Sequence, residues 1–138
     1  MLKRKGLWRI IGPAMIVILG VVAAPSAANA DTGGGCRNNS AGSASACISR
    51  NGNSVYADFY INWGYTSFCH AHLEIYIHGN MVEDRWYSPS YDGRYGPISQ
   101  WVDSFPDQYQ KAYSGVSFYD CNWGWKGSAQ SPNLEYVR

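Results

Sequence analysis

The sequence is poor in the features that mark most catalytic and nucleic-acid-binding chains. Its 138 residues contain no C-x-x-C pair, no G-x-S-x-G elbow and no Gly-rich phosphate loop between a strand and a helix. Lysine is scarce, with only Lys111 and Lys126 beyond residue 30. Lys3, Arg4, Lys5 and Arg9 cluster at the start, so the formal charge of +1 hides a mildly acidic remainder. Such a chain has no dense cationic surface to displace the counterions of a phosphate backbone, which excludes nucleic acid as the expected partner. Helical periodicity is nearly absent, and only Asp107 to Tyr113 has the makings of a turn or two. Beyond the first 30 residues no apolar run is long enough to span a bilayer, so no membrane contact is expected of the mature chain. What the sequence does have is rings: 6 Trp, 11 Tyr and 4 Phe, far too many for a disordered chain.

Residues 1–30 have the order of a secretory signal. A basic start, an apolar middle from Ile10 to Ala24, and Ala28-Asn29-Ala30 ahead of Asp31 match the pattern of a cleaved leader. The mature protein is therefore expected outside the cell. Four cysteines, Cys36, Cys47, Cys69 and Cys121, then read as two disulfides, since export favours oxidation and their number is even. Three connectivities are open. Pairing Cys36 with Cys47 and Cys69 with Cys121 is favoured, because the first closes a short polar loop and the second ties two strand-like segments together.

Residues 31–46 are Gly, Ser, Asn and Ala and read as an N-terminal arm, mobile outside its Cys loop. Residues 47–138 read as one domain with strand periodicity. Val55, Ala57, Phe59 and Ile61 alternate with polar neighbours over Ser54 to Asn62. Cys69, Ala71, Leu73, Ile75 and Ile77 form one face of a second strand, and His70, His72, Glu74, Tyr76 and His78 form the other. Gly79-Asn80 turns the chain into Met81 to Tyr87. Ser88 to Pro97, with two prolines and two glycines, reads as a loop. Gln100 to Phe105, Gly115 to Asn122 and Leu134 to Val137 complete the strands. The expectation is an all-β fold, a small disulfide-stapled antiparallel sandwich of immunoglobulin-like architecture in which the second bridge acts as an inter-sheet staple; a small barrel is the alternative.

Two constellations carry possible chemistry. The histidines His70, His72 and His78 share one strand face with Glu74 and Tyr76, and two imidazoles at i and i+2 stand at chelating distance. The rest of a metal shell is missing, because Glu74 lies farther along the same strand and no second His-bearing segment exists. A partner-facing polar surface is the reading adopted, with no metal or other cofactor. The second constellation is aromatic. Phe59-Tyr60-Ile61-Asn62-Trp63-Gly64-Tyr65 and Phe118-Tyr119-Asp120-Cys121-Asn122-Trp123-Gly124-Trp125 share a pattern, and their tryptophans either lid the core or stand out as platforms. Tyr91 and Tyr95 in the Pro-rich loop extend such a surface. Glu83 and Asp84 are adjacent, so on a strand they point to opposite faces and cannot share a substrate atom.

A leader, a Gly/Ser arm, two disulfides and an aromatic β domain without a catalytic motif together resemble, in layout, the small secreted adaptor subunits of the umbrella toxin particles of filamentous soil bacteria. The resemblance implies a non-enzymatic protein–protein interaction module that joins a lectin-like subunit to a toxin-bearing one, with the arm from Asp31 to Gly35 lodged in a partner. The expected partner is thus another exported protein. The alternative is a carbohydrate-binding module using the Asn-Trp-Gly segments, and the third reading is a small secreted hydrolase or an enzyme inhibitor.

Overall fold

Alternation of apolar and polar residues sorts the strands into faces, and the faces assemble two antiparallel sheets. The structure is a computed structural model and describes residues 31–102 and 109–137. The residues read as a leader, together with Asp103, Asp107 and the far part of the strand expected over Gln100–Phe105, lie outside the described residues. The elements are β1 (Thr32–Gly33), β2 (Gly35–Asn38), β3 (Ala44–Asn51), β4 (Ser54–Ile61), a single 3-10 turn (Tyr65–Ser67), β5 (His70–Ile77), β6 (Asn80–Tyr87), β7 (Gly93–Trp101), β8 (Tyr109–Tyr119), β9 (Trp125–Gln130) and β10 (Leu134–Val137). Sheet order is β2-β3-β4-β7 in one layer and β1-β10-β8-β5-β6 in the other. The long β8 shares one edge between β10, along Tyr109 to Ala112, and β9, along Gly115 to Tyr119.

The interior is closed by the inward sets Val55, Ala57, Phe59 and Ile61 from β4 and Ala71, Leu73, Ile75 and Ile77 from β5, all essentially inaccessible. Phe59 stacks on Tyr95 at 5.0 Å and meets Phe118 edge-on at 5.7 Å, so three elements converge on one ring cluster. Burying a side chain of this size contributes roughly 1.5 to 3 kcal/mol. Buried Ser114 adds a polar tie between the layers, its hydroxyl donating to the Cys47 carbonyl at 2.8 Å.

The cysteines pair as Cys36–Cys47 and Cys69–Cys121. Both bridges lie within a sheet: Cys36 faces Cys47 across β2 and β3, and Cys69 and Cys121 close the adjoining ends of β5 and β8. The inter-sheet staple of the immunoglobulin analogy is thus corrected, and the layers are held by apolar packing.

Three further expectations change. Residues read as a mobile arm are paired, β1 with β10 and β2 with β3. Gly33, Gly34 and Gly35 have φ of 79°, 74° and 85°, which lets the chain step from one sheet to the other between these two strands. A Cβ at Gly33 would sit 2.1 Å from the Asn133 carbonyl oxygen. Much of the expected Ser88–Pro97 loop is the start of β7, an edge strand, where Pro97 is tolerated because one side of the strand needs no ladder bond. Tyr109 to Tyr113, read as part of a helical turn, is the beginning of β8.

Candidate functional site

The outer face of the larger sheet collects rings from four strands. His70, His72, Glu74 and Tyr76 alternate with the buried set of β5 and point outward. Two bulges decide what flanks them. The turn His78-Gly79 pairs Tyr76 with Met81, and continued without interruption this register would send Trp86 inward. A shift between Ile75 and Tyr76 instead sets Glu74 opposite Asp84 and His72 opposite Trp86. On the other flank, a shift between Phe118 and Tyr119 sets Trp125 opposite Tyr119. The first bulge therefore turns Trp86 out onto this face, and the second brings Trp125 beside Tyr119 at its end.

The rings on this face hold one another. His72 stacks on Trp86 at 4.2 Å and His70 on Trp123 at 3.9 Å, while Trp86 meets Trp123 edge-on at 5.5 Å. Trp86, Trp123 and Trp125 nevertheless remain 47%, 59% and 65% exposed. Trp86 and Trp123 are each fixed by neighbouring rings yet keep much of their surface in water, an arrangement the fold does not require for its own interior.

A carboxylate builds the turn that carries Trp123. Asp120 Oδ1 accepts from the backbone N–H groups of Asn122 at 2.9 Å and Gly124 at 2.8 Å. Those bonds, Gly124 first, hold the Asp120 carboxyl below its usual range, with Lys126 adding a smaller pull. Trp123 itself has φ of 64°, a left-handed residue at the apex of the turn. Cys121, in the same turn, is bonded to Cys69 beside His70, so the bridge anchors the ring to its stacking partner.

His72 lies between two carboxylates. Its Nε2 is 2.7 Å from Asp84 Oδ2 and its Nδ1 is 3.4 Å from Glu74 Oε1. Glu74 Oε2 accepts the Tyr76 hydroxyl proton at 3.0 Å, and burial first, then this bond, push the Tyr76 hydroxyl up to about 12. Ser117 pairs opposite His72 in the ladder, but both ring nitrogens are already directed at carboxylates. This is poor geometry for a histidine base serving a serine nucleophile.

Not every expected site residue joins the face. His78 leaves it: with φ of 51° it ends the strand, and its ring bonds the buried Gln110 amide oxygen at 3.1 Å. Tyr95 is a core residue, 7% exposed, whose hydroxyl accepts from the Ser90 and Tyr91 N–H groups and donates to the Tyr91 carbonyl. Tyr91 is exposed but stacked on Tyr95 in the β6–β7 connection, apart from the sheet face. Trp63 is exposed after β4, in the other sheet; the two Asn-Trp-Gly segments occupy the same end of the sandwich, as their shared pattern suggests, without forming one platform. Trp86 was not marked by sequence reasoning, and Asp84 and Tyr119 were noted without a place on this face, because a bulge is invisible in the alternation of a short polar strand.

Two hollows adjoin the face. One, of about 230 Å³, has Gly115 at its floor and Glu74, Tyr76, Tyr113, Ser117, Ser128 and Gln130 around it. The other, of about 320 Å³, lies at the Asn-Trp-Gly end, among Phe68, Phe118, Trp125, Lys126 and the Asn39–Ser43 turn. Among the described residues no group of three His, Cys, Asp or Glu side chains has the spacing to hold a metal ion, and no helix is long and apolar enough to cross a membrane. Comparison with protein-family models, with curated proteins and with solved structures finds no match to this chain.

Proposed function

We propose that the protein is an extracellular, non-catalytic binding module, adaptor-like in role, that holds another exported protein against the outer face of its larger sheet. The observation that supports this most is the pair Trp86 and Trp123, about half exposed while locked by stacking, a carboxylate-built turn and a disulfide, with the exposed Trp125 paired opposite Tyr119. Rigid exposed tryptophans are the residues that dominate protein interfaces, because they bury much area at small cost in side-chain entropy. The two disulfides are compatible with an oxidising compartment. The His72 arrangement favours binding over turnover, since neither nitrogen is left to a nucleophile.

The test is co-purification from culture supernatant with the oxidised chain as bait, followed by affinity measurement with the partner recovered. The expected result is one protein at fixed stoichiometry, bound at least roughly 30-fold more weakly by Trp123→Ala, the loss of a hot-spot residue. A partner held equally by the Trp86→Ala, Trp123→Ala and parent chains would refute the assignment of this face. Turnover of RNA or peptidoglycan by the purified protein would refute the non-catalytic reading.

A further inference from the structure

We infer that the hollow over Gly115 is a subsite for one pyranose ring of a neutral glycan. The inference goes beyond the protein-binding reading and does not rest on it. The hollow is a consequence of side-chain size. Gly115, Ser117 and Ser128 hold neighbouring outer positions on β8 and β9, where Ser117 pairs with Ser128 and Gly115 with Gln130. Around these small residues stand Glu74, Tyr76, Tyr113 and Gln130, leaving about 230 Å³ open to solvent.

The lining selects its ligand by chemistry. A sugar ring presents apolar C–H surfaces beside a set of hydroxyls, and it needs an aromatic wall next to groups that both donate and accept. The Tyr76 and Tyr113 rings, stacked on each other at 4.8 Å, both border the hollow and supply its aromatic side. Ser117, Ser128 and Gln130 supply mixed donors and acceptors. Glu74 supplies a fixed acceptor, one oxygen taking the Tyr76 hydroxyl proton and the other facing His72, with lone pairs left on both for adjacent sugar hydroxyls. Among the described residues Glu74 is the one charged side chain lining this hollow, so phosphates, sulfates and uronates are repelled. A cation is the competing ligand for a carboxylate beside rings, and the experiment separates the two.

The experiment is a titration of the full mature chain, followed by backbone amide chemical shifts, with four neutral oligosaccharide series: β-1,4-glucan, chitin, α-glucan and mannan. The expected result is saturable movement of the Gly115, Ser117, Ser128 and Gln130 amides with at least one series. Gly115→Leu fills the hollow. Its Cβ would be 3.8 Å from the nearest atoms of Glu74 and Tyr76, ordinary contact, so the fold should tolerate it; Ser128→Tyr fills it from the other strand if it does not. Both should weaken binding at least about 10-fold, a loss of about 1.4 kcal/mol, whereas Trp123→Ala should leave it unchanged. Retained affinity in both filled variants overturns the proposal. So does an absence of movement at these four amides with every series, or movement with methylammonium and lysine peptides alone. Loss of the protein partner on Trp123→Ala, with sugar binding intact, separates this site from the protein-binding face.

Discussion

The two outer faces of the sandwich satisfy their side chains in different ways. On the smaller sheet, polar groups pair with one another: Arg94 with Asp58, Ser45 with Asn38, and the Asn62 amide with Ser45 and the Gly42 carbonyl. These polar groups have made their own contacts, and among the described residues the exposed rings of this sheet, Tyr60 and Trp101, do not gather into one stacked cluster. On the larger sheet, rings stack in pairs and leave other surfaces open, while Glu74 links two of the stacks, accepting from Tyr76 and facing His72. Self-satisfied polar surfaces gain little from a partner, whereas immobilised exposed rings have already met the ordering cost of association. Recognition is therefore expected from one layer and solubility from the other.

The contrast depends on a shared interior, and the largest effect should come from breaking that. Phe118→Ala removes a ring packed against Phe59 and Phe68 and should lower unfolding free energy by about 3 to 5 kcal/mol, read by denaturant titration, with both faces lost in one transition. Replacing Cys69 and Cys121 by alanine opens a 52-residue span, against 11 for the other pair. The longer closure should matter more. A loss of about 2 to 4 kcal/mol is expected, together with greater mobility at Trp123, while removal of Cys36–Cys47 should cost less and leave the rings of the larger sheet in place. Equal ring mobility in the two variants would erase the proposed division between the faces.

A smaller effect should follow from Asp120→Ala. The carboxylate is only partly buried, so global stability should change little, but the Trp123 indole signal should broaden or shift. Because the folded state holds this carboxyl below its ordinary value, its contribution is complete above the unfolded value near pH 3.9 and is lost as pH falls through the lower folded one. Acid should thus loosen the Trp123 turn in the parent chain, and the variant should show no such step. The smallest effect is spectroscopic. Tyr76 is held neutral up to about 12, so the stability linked to its proton is complete below pH 10 and is lost only as pH rises through that higher value. Ultraviolet difference titration of Glu74→Gln should recover one earlier tyrosinate.

Much of the architecture was legible because period-two alternation survives wherever one face is buried: β4 and β5 were found within a residue or two, with their inward sets complete. The cysteine pairing favoured by loop size is the one observed. Three kinds of information were not legible. β9, Trp-Lys-Gly-Ser-Ala-Gln, buries only Ala129 and owes its conformation to pairing with β8. The Gly33-Gly34-Gly35 run looks like a spacer in composition, yet each residue sits where a side chain would be strained. The candidate face was half visible: the outward row of β5 could be read directly, but its neighbours depend on two bulges, and a single extra residue inverts every face beyond it.

The Arg50 guanidinium meets the Asp31 carboxylate at 2.8 Å and the Val137 carbonyl at 3.3 Å. Residues more than a hundred positions apart are thereby brought to one cation. A circular permutant that joins these two points by a short Gly/Ser connector and opens at the Asn51–Asn53 hairpin tip should keep the binding rings undisturbed, and it would offer new attachment points on the opposite layer for displaying the domain in arrays.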